Sequence, residues 1–171
     1  ETQRLSTLAE TLLQLARTEQ GADTVVDTVD LSTLLQDLGE SFRPAAAAKG
    51  LTLTWTVADA LSLAGDRDAL VRLFANLLDN AIKYTERGEV RLTAGRDGPG
   101  DIVVVVDDTG IGIPLEHRPH VFERFYRVDP SRSAAGAGLG LALAQEIARA
   151  HQGQIDVGSA RDGGARFVVV F

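Results

Sequence analysis

The sequence has no cysteine, which excludes disulfide bonds and metal sites built on thiolate ligands. It also has no methionine and begins at Glu1, from which we expect an excised piece of a longer protein. Long apolar runs are missing as well, so the sequence predicts neither a membrane-spanning helix nor a signal peptide. Basic residues are fewer than acidic ones, and the net charge of -7 argues against a nonspecific binder of nucleic acid or anionic membranes.

What the sequence does contain is typical of a globular domain with an appendage. Its 171 residues are 44% hydrophobic and 24% charged, which is enough to bury one core of ordinary size. Within residues 1–20, leucine recurs at spacings of three and four, which predicts a helix with an apolar seam. The repeat consists of Leu5, Leu8, Leu12 and Leu15. Two heptads are marginal alone, so this helix either joins partner helices or folds back on the domain of residues 21–171.

The rest of the chain alternates between the two-residue period of strands and the 3.6-residue period of helices. Helices are predicted at residues 31–49, 66–85 and 139–151, and strands at 24–29, 51–57, 60–64, 88–96, 102–106, 154–159 and 165–171. Residues 107–138 are predicted to be mostly loop, and a loop of that length usually indicates function. The order favours an α+β fold, a two-layer sandwich with helices on one face of the sheet.

Residues 76–85 belong to a predicted helix with two chemically different faces. At about 100° per residue, one face carries two amides, an ammonium and a phenol. These side chains belong to Asn76, Asn80, Lys83 and Tyr84. The opposite face is apolar and wide enough to pack on a sheet. Amide oxygens can ligate a hard cation and an ammonium can sit against phosphate, whereas the alternative is an ordinary solvated helix surface.

Two glycine-containing segments are candidates for ligand contact. Asp108 follows the predicted central strand, so its carboxylate can accept a hydrogen bond from a ligand amino group. Gly110 and Gly112 let the backbone pass close to a flat ring, although tight turns and calcium loops have a similar pattern. Glycines within residues 136–141 leave backbone N–H groups at a helix start free to bind phosphate. That pattern is neither a Walker A motif nor a dinucleotide fingerprint, and a glycine linker is the alternative.

An aromatic cluster and a flexible stretch lie between these two segments. Phe122, Phe125 and Tyr126 are spaced to anchor one end of a mobile segment. Residues 128–137 are small and flexible enough to form a lid. Arg132 within that stretch is either a phosphate contact or a surface charge.

These four segments, in this order, resemble the N, G1, F and G2 boxes of sensor histidine kinases. The boxes correspond to residues 76–85, 108–112, 122–127 and 136–141. Residues 163–167 resemble the last glycine box of the same family, and residues 4–19 resemble the second helix of its dimerisation hairpin. The resemblance covers nearly the whole chain. It implies the fold shared with gyrase, mismatch-repair and chaperone ATPases: a mixed, mostly antiparallel sheet covered on one face by three helices, here with an additional N-terminal helix.

The resemblance also implies roles for individual residues. Asn80 would ligate a Mg²⁺ ion that bridges the ATP phosphates, while Asn76 and Lys83 would contact the phosphates. Asp108 would accept a hydrogen bond from the adenine amino group. Arg132 would close over the triphosphate, and with Asn76 and Lys83 it completes the implied catalytic set. The implied ATP-binding residues are Asn76, Asn80, Lys83, Tyr84, Asp108, Gly110, Gly112, Ile113, Phe125, Arg132, Gly136, Gly138, Leu139, Gly140 and Leu141.

Three features depart from the family pattern. Ala165 stands where the last glycine box usually has threonine, and the stretch between Arg127 and Gly136 is a little short for a lid. The family's phosphoacceptor histidine is absent, and we expect it N-terminal to residue 1. The histidines that are present have different surroundings and are interpreted as structural or surface residues: His117, His120 and His151.

The function implied by the resemblance is that of an ATP-binding catalytic module. It would transfer the γ-phosphoryl group of ATP to a histidine of a dimerisation domain, for relay to the receiver domain of a response regulator. The cofactors would be ATP and Mg²⁺, and the intact protein would be a homodimer that binds no nucleic acid. The module would be cytoplasmic, with membrane attachment only through segments N-terminal to this chain.

Three other functions are weighed against this one. A hydrolytic ATPase of the gyrase or chaperone kind needs a glutamate where Asn76 stands, and an amide cannot act as a base. A serine kinase with a similar domain is disfavoured by the helix predicted within residues 1–19. A degenerate nucleotide-binding scaffold is disfavoured by the presence of Asn80, Asp108 and the glycines.

Overall fold

The computed structural model describes residues 27–98, 100–128 and 138–171. Within them, three α-helices alternate with seven strands and one 3-10 helix, Leu115–His120. The helices are α1 (Leu31–Ala48), α2 (Arg67–Tyr84) and α3 (Gly140–Ala150). The strands are β1 (Asp27–Asp30), β2 (Thr52–Val57), β3 (Ser62–Gly65), β4 (Glu89–Asp97), β5 (Asp101–Asp108), β6 (Gln154–Ser159) and β7 (Ala165–Val170). The helix predicted within residues 1–20 lies outside the described residues.

Five of the strands form the main sheet, in the order β2-β4-β5-β7-β6. β2 runs parallel to β4 and the other neighbours are antiparallel, so the sheet is mixed and mostly antiparallel, as predicted. The strand predicted from residue 24 is observed from Asp27 onward. It pairs with β3 in a separate two-stranded sheet and is not an edge of the main one.

The three helices pack against the main sheet, with α2 between α1 and α3. The apolar face of α2 supplies the centre of the core, with five side chains that are 0% exposed: Leu70, Leu73, Phe74, Leu77 and Leu78. The sheet presents fully buried valines and a leucine to the same core, namely Val90, Leu92, Val104, Val106 and Val169. The predicted α+β sandwich is confirmed. Among the described helices, none combines the length and apolarity needed to cross a bilayer.

Aspartates start both long helices. Asp30 accepts a hydrogen bond at Oδ1 from the backbone N–H of Thr33 at 3.1 Å, which caps α1. Asp66 accepts at Oδ1 from the N–H groups of Asp68 and Ala69, at 2.9 and 3.1 Å, which caps α2. The first N–H groups of a helix have no partner within it, and these carboxylates provide one.

His151 ties the end of α3 to the start of α2. Its Nε2 accepts a hydrogen bond from the backbone N–H of Asp66 at 3.0 Å, and its Nδ1 lies 2.8 Å from the carbonyl oxygen of Ile147. Because Nε2 is the acceptor, the ring proton belongs on Nδ1, where it donates to that carbonyl. A Cβ on Gly65 would collide with the imidazole, so glycine is required beside it. The predicted structural role of this histidine is confirmed.

Lys49 closes the C-terminal end of α2 from a distant part of the chain. Its Nζ donates to the carbonyl oxygen of Ile82 at 2.6 Å and to those of Lys83 and Thr85 at 3.0 Å. The last carbonyls of a helix lack partners within it, and an ammonium also suits the negative end of the helix dipole. Lys49 therefore fixes the helix end that carries Lys83 and Tyr84.

Replacing Lys49 by methionine should lower the free energy of unfolding by about 1–3 kcal/mol, because three carbonyls lose their donor while the apolar stem is kept. Arg67→Met is the matched control. Arg67 Nη2 lies 3.8 Å from the Asp37 carboxylate on the exposed surface, and its loss should change stability by less than about 0.5 kcal/mol. Urea denaturation measures both variants, and a Lys49→Met protein as stable as the wild type would contradict this role.

Candidate functional site

The polar face of α2 is oriented by the burial of its apolar face. Asn76 and Asn80 are half-buried and one helical turn apart, and Tyr84 follows one turn later with 38% of its surface exposed. The Nζ atom of Lys83 lies 5.0 Å from the centroid of the Tyr84 ring. The two amides, the ammonium and the phenol therefore share one side of the helix, as predicted.

The start of α3 lies against this polar face. A Cβ on Gly140 would lie 3.1 Å from the side-chain oxygen of Asn76, so glycine permits the close approach. The N-cap residue, Leu139, is buried and apolar and makes no side-chain capping hydrogen bond. Leu141 packs against the core beside it. The N-cap side chain therefore provides no acceptor for the first N–H groups of α3, and a helix start of this kind favours an anion.

The aromatic segment is held by two of its three rings. Phe122 packs edge-on against Phe167, with 6.5 Å between ring centroids, and the hydroxyl of Tyr126 lies 2.6 Å from Nδ1 of His117. Phe125 differs, because 59% of its surface is exposed. The expectation that its ring anchors the segment is therefore wrong.

Phe125 contributes to the site through its backbone. Its N–H donates to the carbonyl oxygen of Gly138 at 2.9 Å. The φ angle of Gly138 is 69°, and a Cβ on it would lie 2.8 Å from the carbonyl carbon of Phe125. Both the positive φ angle and the close backbone contact require glycine at this position. The pairing joins the aromatic segment to the residues that lead into α3.

Asp108 ends β5 as a carboxylate that is only 4% exposed. Its Oδ1 accepts hydrogen bonds from the backbone N–H of Gly110 at 2.8 Å and of Ala165 at 3.1 Å. Burial away from water raises the pKa of Asp108 above its ordinary value, and the two backbone hydrogen bonds only partly oppose this. Oδ2 accepts no hydrogen bond from a described residue.

Glycines let three backbone segments meet around Asp108. A Cβ on Gly110 would collide with the carbonyl oxygen of Tyr84, and one on Gly164 would collide with the carbonyl oxygen of Asp108. Gly112 has a φ angle of 66°, and a Cβ on it would lie 2.8 Å from the turn before β7. The loop after β5, the end of α2 and the turn before β7 therefore form one unit, in which side chains at these positions do not fit.

Three residues of this unit were not among the predicted site residues. Gly164 packs on Asp108, and Ala165 donates its N–H to that carboxylate, a bond that does not depend on the threonine usual in the family pattern. Thr109 fastens the loop to β4, since its Oγ1 accepts from the N–H of Glu89 at 2.9 Å. The paired glycines before Ala165 signal the turn in the sequence, whereas the contact of Thr109 has no local signal.

The structure places most of the described site residues in two groups along α2. Asn76, Gly138, Leu139, Gly140 and Leu141 meet at the start of α3, and Tyr84, Asp108, Gly110 and Gly112 meet at the end of α2. Ile113, next along the loop, is partly buried against the core. Arg132 and Gly136 lie outside the described residues.

A metal ion in this part of the chain needs ligands beyond carboxylates and imidazoles. The described residues contain no group of three or more His, Cys, Asp or Glu side chains that could hold one. An amide oxygen such as that of Asn80 suits Mg²⁺, which takes most of its remaining oxygen ligands from water and bound phosphates.

Sequence comparison identifies the family. A family model described as "Histidine kinase-, DNA gyrase B-, and HSP90-like ATPase" matches residues 65–171. The signal transduction histidine-protein kinase BaeS of Escherichia coli (strain K12) is 36% identical over 169 residues, which cover 96% of this chain and 36% of that protein. Sensor histidine kinase RppB of Synechocystis sp. is 39% identical over 175 residues, covering 97% of this chain and 37% of that protein. The chain thus spans little more than a third of the length of these relatives.

Solved structures give the same result. Full-length ShkA in complex with AMPPNP has a TM-score of 0.85 at 33% identity, covering 97% of this chain and 35% of that one. The mycobacterial sensor histidine kinase MprB has a TM-score of 0.75 at 31% identity, covering 86% of this chain and 97% of that one. The chain therefore belongs to the histidine kinase-, DNA gyrase B- and HSP90-like ATPase family, as an ATP-binding catalytic domain of the sensor histidine kinase type.

Proposed function

We propose that this domain binds Mg-ATP and transfers the γ-phosphoryl group to a histidine on a dimerisation domain of the same protein, for relay to an aspartate of a response regulator. The observation that carries the proposal is that α2 joins the start of α3, beside Asn76, to the buried carboxylate of Asp108, beside Tyr84. Asn76 and Tyr84 are about 12 Å apart along the helix axis, a separation that a nucleoside triphosphate can span.

Asp108 supports recognition of adenine at one end. Its Oδ1 is held by two backbone N–H groups, so the orientation of Oδ2 is set before a ligand arrives. An oxygen of a largely buried carboxylate gains from a hydrogen-bond donor, and the 6-amino group of adenine is one. A 6-oxo purine presents an acceptor at the same position and is disfavoured.

The start of α3 supports binding of the phosphates at the other end. Its first N–H groups and the positive end of its dipole favour negative charge. Asn76 lies against it, and Lys83, in the last turn of α2 beside Tyr84, adds a cation on the same face of the helix. We assign Arg132 and Gly136 to the phosphates on the family resemblance. Mg²⁺ held by Asn80 and the phosphates would neutralise the charge on the transferring group.

We infer transfer to another protein side chain, not hydrolysis. Hydrolysis requires a base that activates water, and the family resemblance places such a carboxylate at the position of Asn76, whose amide cannot accept a proton. Transfer to an imidazole requires only that the domain hold the phosphates in line with the nucleophile and neutralise charge.

We place the domain in a homodimeric sensor. Residues 1–20 would form the second helix of the dimerisation hairpin and residues 21–171 the catalytic domain. The resemblance of residues 4–19 to that helix supports this assignment. The domain would lie in the cytoplasm, and any membrane attachment would come from segments N-terminal to the chain.

Mixing this chain with a separate protein that carries the phosphoacceptor helix, in the presence of Mg²⁺ and γ-labelled ATP, should label that protein with acid-labile phosphate. The label should be absent when the acceptor histidine is changed to glutamine. Acid-stable label would indicate a hydroxyl acceptor instead, and release of free phosphate without label would indicate hydrolysis. Either result would overturn the proposed reaction.

Asn80→Ala should weaken binding of Mg-ATP roughly tenfold or more, because an Mg²⁺ ligand is lost. Binding of ATP in EDTA should change little, since no metal is present to be ligated. Asp79→Ala is the control, because Asp79 is the neighbouring exposed residue on the same helix. Titration calorimetry measures all three proteins, and an unchanged affinity of Asn80→Ala for Mg-ATP would remove the metal role.

Asp108→Asn should reverse the preference for the purine. The amide oxygen keeps the hydrogen bonds to Gly110 and Ala165, but an NH2 group replaces the free acceptor. Affinity for ATP should fall roughly tenfold or more, and affinity for inosine triphosphate should rise relative to ATP. Asp101→Asn, at the exposed start of the same strand, should leave both affinities unchanged. An equal loss of affinity for ATP and for inosine triphosphate would show that Asp108 does not distinguish the two purines.

A further inference from the structure

A two-pronged ion pair lies directly behind Asp108, on the other face of the sheet. Arg166 donates from Nε to Oδ1 of Asp107 at 2.7 Å and from Nη2 to Oδ2 at 2.8 Å. The side chain of Asp107 is 13% exposed and that of Arg166 is 41% exposed. Hydrogen bonding to Asp107, and secondarily its charge, raises the pKa of Arg166 above its ordinary value. Such a bidentate pair fixes orientation as well as distance.

The ion pair closes the ladder between β5 and β7 at the end that bears the site. Asp107 and Arg166 are directly opposed in the register, and they are the last paired residues of this ladder. The next residue of β5 is Asp108 and the preceding residue of β7 is Ala165. Successive side chains of a strand point to opposite faces, so the ion pair and the Asp108 carboxylate lie back to back.

The orientation of Asp108 depends on this end of the ladder. The N–H of Ala165, one residue before Arg166, holds Oδ1 of Asp108. Ends of strand ladders open more readily than their centres, and opening here would withdraw Ala165 from the carboxylate. The carboxylate would then be free to rotate, and its Oδ2 would no longer be directed at a ligand.

The other ion pair on this face offers a contrast. Glu89 and Arg91 pair within one strand, β4, so they do not join neighbouring strands. Arg91 is opposed to Asp107 in the β4–β5 register, so a cation remains beside Asp107 when Arg166 is replaced. Replacing Arg166 thus breaks the β5–β7 connection while Asp107 keeps a neighbouring positive charge.

We propose that Arg166 and Asp107 are positioning residues for the purine site: their ion pair holds β5 and β7 in the register that keeps the Ala165 N–H on Asp108 and thereby directs Oδ2 at the adenine amino group. The proposal rests on the proposed ATP binding. It assigns no contact between either residue and the nucleotide.

The test compares Arg166→Gln with Arg91→Gln in the full chain. In the nucleotide-free protein, NMR hydrogen exchange of the Ala165 amide should be roughly tenfold faster in Arg166→Gln and unchanged in Arg91→Gln. Affinity for ATP should fall roughly three- to tenfold in Arg166→Gln, while affinity for inosine triphosphate should change less. The ratio of the two affinities should therefore become smaller. Arg166→Lys keeps the positive charge but cannot form the bidentate contact with Asp107, so its ATP affinity should lie between those of Arg166→Gln and the wild type.

A double-mutant cycle isolates the pair. Asp107→Asn combined with Arg166→Gln should cost no more ATP affinity than either change alone, because both remove the same interaction. Unchanged exchange at Ala165 and unchanged ATP affinity in Arg166→Gln would overturn the proposal. An equal loss of affinity for ATP and for inosine triphosphate would also overturn the proposal, since it would indicate a general effect on folding. Failure of the wild type to bind ATP would instead reject the proposed function, and the exchange measurement would still test whether the pair holds Ala165.

Discussion

Burial of the apolar face of α2 is the constraint on which the rest of the structure depends. Five of its side chains are 0% exposed against the sheet, and each buried leucine contributes roughly 1.5–3 kcal/mol. Rotating the helix to turn Asn76 and Asn80 elsewhere would expose those side chains to water. The hydrophobic core therefore sets the direction of the polar face, and the site inherits its geometry from the stability of the fold.

Asp108 is different, because this site residue lowers the stability of the fold. A carboxylate with 4% exposure loses most of its hydration, and its raised pKa shows that its two backbone hydrogen bonds do not restore what burial removes. Folding favours the protonated form relative to the unfolded state, so this residue makes the fold less stable as the pH rises from the unfolded-state pKa through the raised one. In the proposed complex with ATP, a ligand donor at Oδ2 would offset this cost, so the residue would favour a ligand that carries such a donor.

Much of the fold was predictable because its signals are local. Apolar periodicity specifies the helices and strands, and glycines mark the places where backbones meet, including Gly140 beside Asn76. Contacts between side chains distant in sequence were not predictable, because charged residues have many possible partners. The pair of Asp107 and Arg166 is 59 residues apart. The outward ring of Phe125 was missed for a related reason, since spacing reveals which residues are neighbours but not which of them is buried.

Lys49 and His151 have a joint consequence for how the domain can move. The first fastens the C-terminal end of α2, and the second fastens its N-terminal end through Asp66 to the far end of α3. A helix fixed at both ends resists sliding along its axis, so the spacing between Asn76 and Tyr84 would stay nearly constant during the proposed phosphoryl transfer. Under the proposed reaction, the diphosphate that remains after transfer would keep its purine contacts and would lose only the contacts of the transferred phosphate. Exchange of the proposed product for fresh nucleotide would then depend on that one missing contact and on the loops, while the helical scaffold stays in place.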